Sequence, residues 1–182
     1  IYTADNGYYM GERGFAGKWS HYEESLRVPL IIYDPRPDSM SRGITIPPPV
    51  LNLDLPATML EIAGICVPEK YQGKSLIPLL HGKAQPDWRE YFFNEFNSSN
   101  KRLPDWRGIH GKRYTYANYY QQDPAVEMLY DLEKDPKQLS NLAADPNHSE
   151  TIAQMRTLTE TFKKEYSRPE IMKLKVAPKK RK

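Results

Sequence analysis

The sequence predicts an α/β piece running into a small α+β subdomain, in which an antiparallel sheet carries one packed helix. Three observations predict it. An apolar run with prolines near both ends, Val28 to Tyr33, has the pattern of a strand covered on both faces. A helix signal follows over Asp54 to Ala63. After residue 90 the order is strand, strand, strand, helix, which suits an antiparallel sheet with a helix laid on it. The chain therefore divides into 1–87, the end of a larger α/β domain; 88–168, a small α+β subdomain; and 169–182, a basic disordered tail.

The opening stretch reads as a strand end, a polar loop, one short helical turn and a buried strand. Ile1-Tyr2-Thr3 is the tail of an apolar β run, and Asp5-Asn6-Gly7 breaks it. In an open α/β sheet, ligands gather beyond the carboxyl ends of parallel strands, which is where Asp5 and Asn6 fall. Pro35 to Pro49 is a proline-studded loop. In the helix that follows, Asp54 serves as N-cap and Pro56 sits in the first turn. Leu60, Ile62 and Ala63 make its apolar face, and Gly64 ends it. Ser75 to Leu80 is a short amphipathic segment stopping near Gly82.

Tyr91 to Phe96 reads as a strand. Arg107 to Ile109 and Arg113 to Asn118 read as a hairpin turning at His110-Gly111-Lys112, with Tyr114, Tyr116 and Asn118 on one face. Val126 to Leu132 is a further strand, closed by the turn Glu133-Lys134-Asp135-Pro136. From His148 to Tyr166 the spacing is helical. Ile152, Met155, Leu158, Thr159 and Phe162 share one side, with Ser149 or Asn147 as cap.

Composition narrows the function classes. Hydrophobic residues make up 39% of the 182 and mean hydropathy is −0.74, polar but not depleted enough for disorder. Thirteen tyrosines and three tryptophans favour hydrogen-bonding surfaces such as carbohydrate or interface patches. The net charge of +3 leans on the terminal Lys179-Lys180-Arg181-Lys182 run, so the body of the chain has no charge signature of a nucleic-acid protein. That run resembles a short nuclear-import sequence but reads first as a solvated, disordered basic end. Cys66 is the single cysteine, so no internal disulfide forms. No apolar run approaches the ~20 residues of a membrane helix. The chain begins inside a strand without an initiator methionine, as the C-terminal piece of something larger does.

Asp5-Asn6-Gly7 has two readings. It is a common turn sequence, and it also sets two oxygen ligands side by side at a strand end, where a hard cation would use them. Calcium takes about six to eight oxygens, so these two alone do not hold it. Lys18 is either a solvated loop lysine or, between Gly17 and Trp19, a shaped clamp for a substrate oxyanion.

The run Asp5-Asn6-Gly7, then Gly11-Glu12, Gly17-Lys18-Trp19, Tyr22-Glu23-Glu24-Ser25 and Arg27-Val28-Pro29 closely resembles the type I sulfatases of the alkaline-phosphatase superfamily. Four further stretches keep the family order: 54–65, 71–82, 107–116 and 129–143. The resemblance spans nearly all of 1–166 and implies the C-terminal part of an alkaline-phosphatase-like α/β sheet domain, followed by the α+β subdomain. It also implies hydrolysis of sulfate esters on sulfated carbohydrates or small molecules. In this family one Ca2+ is held by protein oxygens, and a formylglycine made from Cys or Ser is the nucleophile. By position, Asp5 and Asn6 match two metal ligands, and Lys18 matches the lysine that contacts sulfate.

Many relatives carry His where this chain has Tyr9 and Arg13, so the pocket around the leaving group differs. Tyr9, Arg13 and His21 are the remaining substrate-binding candidates; Arg13 meets a second anionic group or lies at the surface. His110, Arg107 and Lys112 read as polar residues of the hairpin. The resemblance places formylglycine and the other calcium ligands in an N-terminal half, not in this chain, and the complete site needs that half. Cys66-Val67-Pro68-Glu69-Lys70 mimics the modification motif but follows the Asp54 helix, where the family has an ordinary loop. Two alternatives stand beside the sulfatase: a phosphodiesterase or phosphonate monoester hydrolase of the same superfamily, and an inert truncated module. The cellular compartment stays open, the family tendency being secreted, periplasmic or lysosomal.

Overall fold

The computed structural model describes residues 1–35, 43–83, 85–98, 100 and 102–167. The basic tail expected at 169–182 and part of the Pro35–Pro49 loop lie outside the described residues. In chain order the elements begin with β1 (Tyr2–Thr3), β2 (Tyr9–Met10), β3 (Ala16–Gly17), α1 (Glu23–Leu26) and β4 (Leu30–Ile31). Next come α2 (Asp54–Ile62) and α3 (Ile77–Leu80). Strands β5 (Tyr91–Phe96), β6 (Trp106–Gly111), β7 (Tyr114–Tyr119) and β8 (Val126–Asp131) follow, and then α4 (Ser149–Tyr166).

The C-terminal half forms as its sequence pattern implies. β5, β6, β7 and β8 make one antiparallel sheet in sequential order. The first hairpin strand runs two residues further than expected: His110 and Gly111 still pair, so the turn falls at Lys112-Arg113 and the next strand starts at Tyr114 instead of Arg113. Side chains alternate between two buried faces. Ile109, Tyr116 and Leu129 point to Ile152 and Met155 of α4, with Leu158 and Phe162 packed alongside. On the opposite face Trp106, Ala117 and Tyr119 form a second cluster with Leu26. The cap of the long helix differs from expectation. Neither Ser149 nor Asn147 caps it; Asp145 accepts from the Asn147 backbone N–H, and a 3-10 turn over Pro146–His148 leads in.

The helix α2 stops at Gly64 as expected, but its start and buried face differ. Leu53 holds the N-cap position, and Asp54 directs its carboxylate inward instead. There it accepts from the backbone N–H of Leu51 and Lys74 and from both terminal nitrogens of Arg89, at 2.6–2.9 Å. A fully buried carboxylate needs that many donors. The buried side of α2 is accordingly Asp54, Ala57 and Thr58, while Ile62 and Ala63 are exposed. α3 adds Leu76, Leu79 and Leu80 to a cluster with Leu30, Ile32, Leu55 and Trp88.

The opening stretch departs most. Val28–Tyr33 yields only the two paired residues of β4, antiparallel to β1 rather than parallel within a larger sheet. Ile31 is 60% exposed and Tyr33 77%, so within this chain the strand is not covered on both faces. Two strands of two residues cannot bury one another's faces. The sheet edge beside them is open to further pairing.

Candidate functional site

The geometry begins with a tight backbone approach. Gly7 donates its N–H to the Ser25 carbonyl at 3.0 Å, and a Cβ at Gly7 would lie 2.2 Å from the Glu24 carbonyl oxygen. Only glycine lets the strand end pass so close to α1, and this fixes the direction in which Asp5 and Asn6 project. Asn52 supports the same turn from below, donating to the carbonyls of Asp5 at 2.9 Å and Ala4 at 3.3 Å.

The second arm is the β2–β3 hairpin, where Gly17 pairs with Tyr9 and takes φ 93°. That left-handed backbone turns Lys18 back toward the strand end. Trp19 is fixed on both sides: its indole donates to the Ala16 carbonyl, and its own carbonyl accepts from the Trp106 indole, each at 3.0 Å. Lys18 Nζ thereby reaches Asn6 Oδ1 at 2.6 Å and Asp5 Oδ2 at 3.3 Å. The structure brings Asp5, Asn6 and Lys18 to one point, with their side chains open to solvent.

The hydrogen bond and charge of Lys18 hold the Asp5 carboxyl below the ordinary carboxylate range. The two oxygens that converge on the ammonium are hard donors of the kind calcium uses. They would suit such an ion in kind, as part of its shell. Among the described residues no group of three or more His, Cys, Asp or Glu side chains is placed to hold a metal.

Tyr9, Arg13 and His21 are not brought to that point; each makes hydrogen bonds inside the chain, with the buried His21 Nε2 left without a partner among the described residues. Tyr9 is fully buried, bonds Ser20 through its hydroxyl and stacks edge-on against Phe15. Burial pushes its phenol up to about 12. Arg13, at φ 57°, stacks over Tyr22, pairs with Glu24 at 3.2 Å and donates to the backbone carbonyls of Gln138 (3.1 Å) and Lys137. His21 is buried among Tyr22, Trp106, Tyr119 and Tyr130, with Nδ1 2.8 Å from the Tyr119 hydroxyl. Burial drops its pKa to about 3, so the ring stays neutral. Cys66 lies exposed beyond the end of α2.

Four supporting residues carry no local sequence signal. Asn52, Trp106, Tyr119 and Gln138 act on partners 47 to 125 positions away. Gln138 is buried at φ 49° and its side chain accepts from the Glu23 N–H at 2.8 Å. A positive φ at a non-glycine residue is visible only in a folded chain. His110, on β6, closes the same face by bonding Glu23 at 2.5 Å.

Residues 11–165 match the family model described as N-sulphoglucosamine sulphohydrolase, C-terminal. An N-acetylglucosamine-6-O-sulfatase from Bacteroides thetaiotaomicron is 32% identical over 91% of this chain and 30% of its own length. A Delta 4,5-hexuronate-2-O-sulfatase from the same organism is 32% identical over 89% of this chain and 34% of its own. The chain thus spans about a third of the length of the curated relatives it matches. Among solved structures, one described as bound to its substrate D-glucosamine-2-N,6-O-disulfate superposes with a TM-score of 0.78 at 28% identity, over 91% of this chain and 34% of that one. A phosphonate monoester hydrolase from Silicibacter pomeroyi also gives 0.78, at 26% identity over 91% and 34%. No described helix is long and apolar enough to cross a membrane. With the motif order, the fold and a family match over most of its length all agreeing, the chain belongs to the type I sulfatases of the alkaline-phosphatase superfamily and carries their C-terminal portion.

Proposed function

We propose that the complete protein is a calcium-dependent sulfatase acting on a sulfated carbohydrate. In this reading Asp5 and Asn6 are two of the metal ligands and Lys18 is the cation that grips the sulfate. The observation that carries it is the convergence of Asp5 Oδ2 and Asn6 Oδ1 on Lys18 Nζ. Support also comes from relatives whose names specify sulfated sugars. Formylglycine and the remaining ligands belong to the family's N-terminal part.

The chain's own residues perform two tasks. Asp5 and Asn6, fixed by Gly7 and Asn52, present a carboxylate and an amide oxygen at a defined strand end. Lys18, fixed through Gly17 and Trp19, keeps an ammonium with three N–H donors within reach of the same point. When a sulfate ester occupies that point, the ammonium offsets negative charge as it gathers on the ester oxygens during S–O cleavage. Calcium, when bound, supplies Lewis-acid polarisation of a sulfate oxygen. Tyr9 and His21, buried and hydrogen-bonded, hold the two arms together without meeting the ester.

In the complete protein, Lys18→Ala and Asp5→Ala each lower kcat by about a hundredfold or more with the circular dichroism spectrum unchanged. Wild-type turnover in either variant rejects the assignment. A second reading, a phosphonate monoester hydrolase, is favoured by the equal TM-score of the phosphonate hydrolase structure. Sulfate, phosphate and phosphonate esters of one leaving group, compared by kcat/KM, separate the two.

A further inference from the structure

Among the described residues, two that carry a side chain are held in the left-handed region: Arg13 at φ 57° and Gln138 at φ 49°. They lie 125 positions apart and are bonded to each other, Arg13 Nη1 donating to the Gln138 carbonyl at 3.1 Å. A Cβ makes that backbone costly, and such outliers persist only where the surroundings fix them. Arg13 sits at the tip of the β2–β3 hairpin between Gly11 and Gly14, which take φ 114° and 74°. A third glycine would follow the same path at less cost, so what the arginine adds is its side chain.

The guanidinium joins its own hairpin to α1 and to the chain beyond β8. It pairs with the Glu24 carboxylate at 3.2 Å, donates to the Lys137 and Gln138 carbonyls, and lies 3.9 Å from the centre of the Tyr22 ring. Gln138 completes the junction from the other side. It is buried, its side-chain oxygen accepts from the Glu23 N–H at 2.8 Å, and its Nε2 has no partner among the described residues. A buried, unpaired amide donor is unfavourable, so the bond to Glu23 holds the side chain there against that cost. Both arms of the candidate site are anchored on the segments joined in this way. β3 leaves the hairpin tip and ends at Gly17, directly before Lys18. The Glu24 carbonyl lies against Gly7, and Ser25 accepts the Gly7 N–H, which together aim Asp5 and Asn6.

We propose that Arg13 and Gln138 form a latch of positioning residues, which sets how far the Lys18 ammonium stands from the Asp5 and Asn6 oxygens without itself touching the ester. One carboxylate and two carbonyls are met together by the planar fork of a guanidinium, which an ammonium does not reproduce. The effect of the latch on turnover rests on the sulfatase reading; its effect on the position of Lys18 does not.

The test uses the complete protein with Arg13→Gly, which keeps the left-handed backbone and removes the guanidinium, beside Arg13→Lys, which keeps a charge for Glu24. On a sulfate ester kcat falls about tenfold in both variants while KM stays within about twofold, because a displaced ammonium loses most where charge gathers in the transition state. A loss carried by KM, or lowered thermal stability with kcat unchanged at a temperature where the variant is folded, overturns the latch. Full turnover in Arg13→Lys overturns it too. Crystal structures of the complete wild type and Arg13→Gly separate this inference from the reading it rests on. Lys18 Nζ moves by about 1 Å or more relative to Asp5 and Asn6. If it moves and wild type hydrolyses no sulfate ester, the latch stands and the sulfatase reading falls. An unmoved Lys18 overturns the latch whatever the activity.

Discussion

The four-stranded sheet with α4 and the opening stretch of residues 1–35 are built on opposite principles. In the first, six-residue strands pair in sequence order and bury Ile109, Tyr116, Leu129, Ile152 and Met155 in one cluster. In the second, each strand has two residues, and Ile1, Tyr2, Ile31 and Tyr33 remain exposed. Yet the second region carries the candidate site. Its order is borrowed: the Trp106–Trp19, Tyr119–His21, Gln138–Arg13, Gln138–Glu23 and His110–Glu23 contacts all come from the C-terminal half. Within this chain, precision at Lys18 is thus supplied by polar bonds to a neighbour with its own apolar core.

Three experiments strain that contrast, from the largest expected effect to the smallest. Met155 is fully buried between α4 and the sheet, so Met155→Ala costs about 2–5 kcal/mol of stability. Denaturant unfolding of the protein measures it, and hydrogen exchange should show protection falling in both regions. Protection retained in residues 1–27 would show that the opening stretch does not lean on the sheet. Trp106→Phe keeps most of the ring and removes the donor to Trp19, for about 1–3 kcal/mol. Here exchange accelerates around residues 16–22 while β7 and β8 keep their protection. An equal loss in the sheet would mean that Trp106 serves its own core first.

The smallest effect, taken over a single pH unit, is a pH dependence. His21 has a folded pKa of about 3 against 6.5 for an ordinary histidine, because burial penalises its charged form. Between those values the unfolded chain takes up a proton that the folded chain refuses. Stability is therefore complete above pH 6.5 and declines as pH falls toward 3, by at most about 1.4 kcal/mol per pH unit. The slope is best read between pH 6.5 and 5, above the range where Glu23, Glu127 and Asp131 titrate. His21→Phe should flatten it; an unchanged slope would assign the proton to another histidine.

How much was legible follows the same division. β5 to β8 and α4 were readable because alternation and helical spacing are local patterns, and each apolar residue found the face its period gave it. Asp54 has the sequence signature of a cap, but its side-chain oxygens serve Lys74 and Arg89, 20 and 35 residues on, which no local pattern shows. Nothing local to Tyr9, Arg13 or His21 signals that Ser20, Gln138 and Tyr119 engage them.

By itself the sequence determined the element types after residue 90, the adjacency of Asp5 and Asn6, and the glycines that shape the two arms, since each depends on residues within one turn or strand of one another. Only the tertiary structure decided that Lys18 reaches both oxygens, that β4 pairs antiparallel with β1, and that the sheet grips the site-bearing stretch. Those outcomes rest on hydrogen bonds between distant segments, whose geometry exists only once both segments are packed, and no local periodicity encodes it.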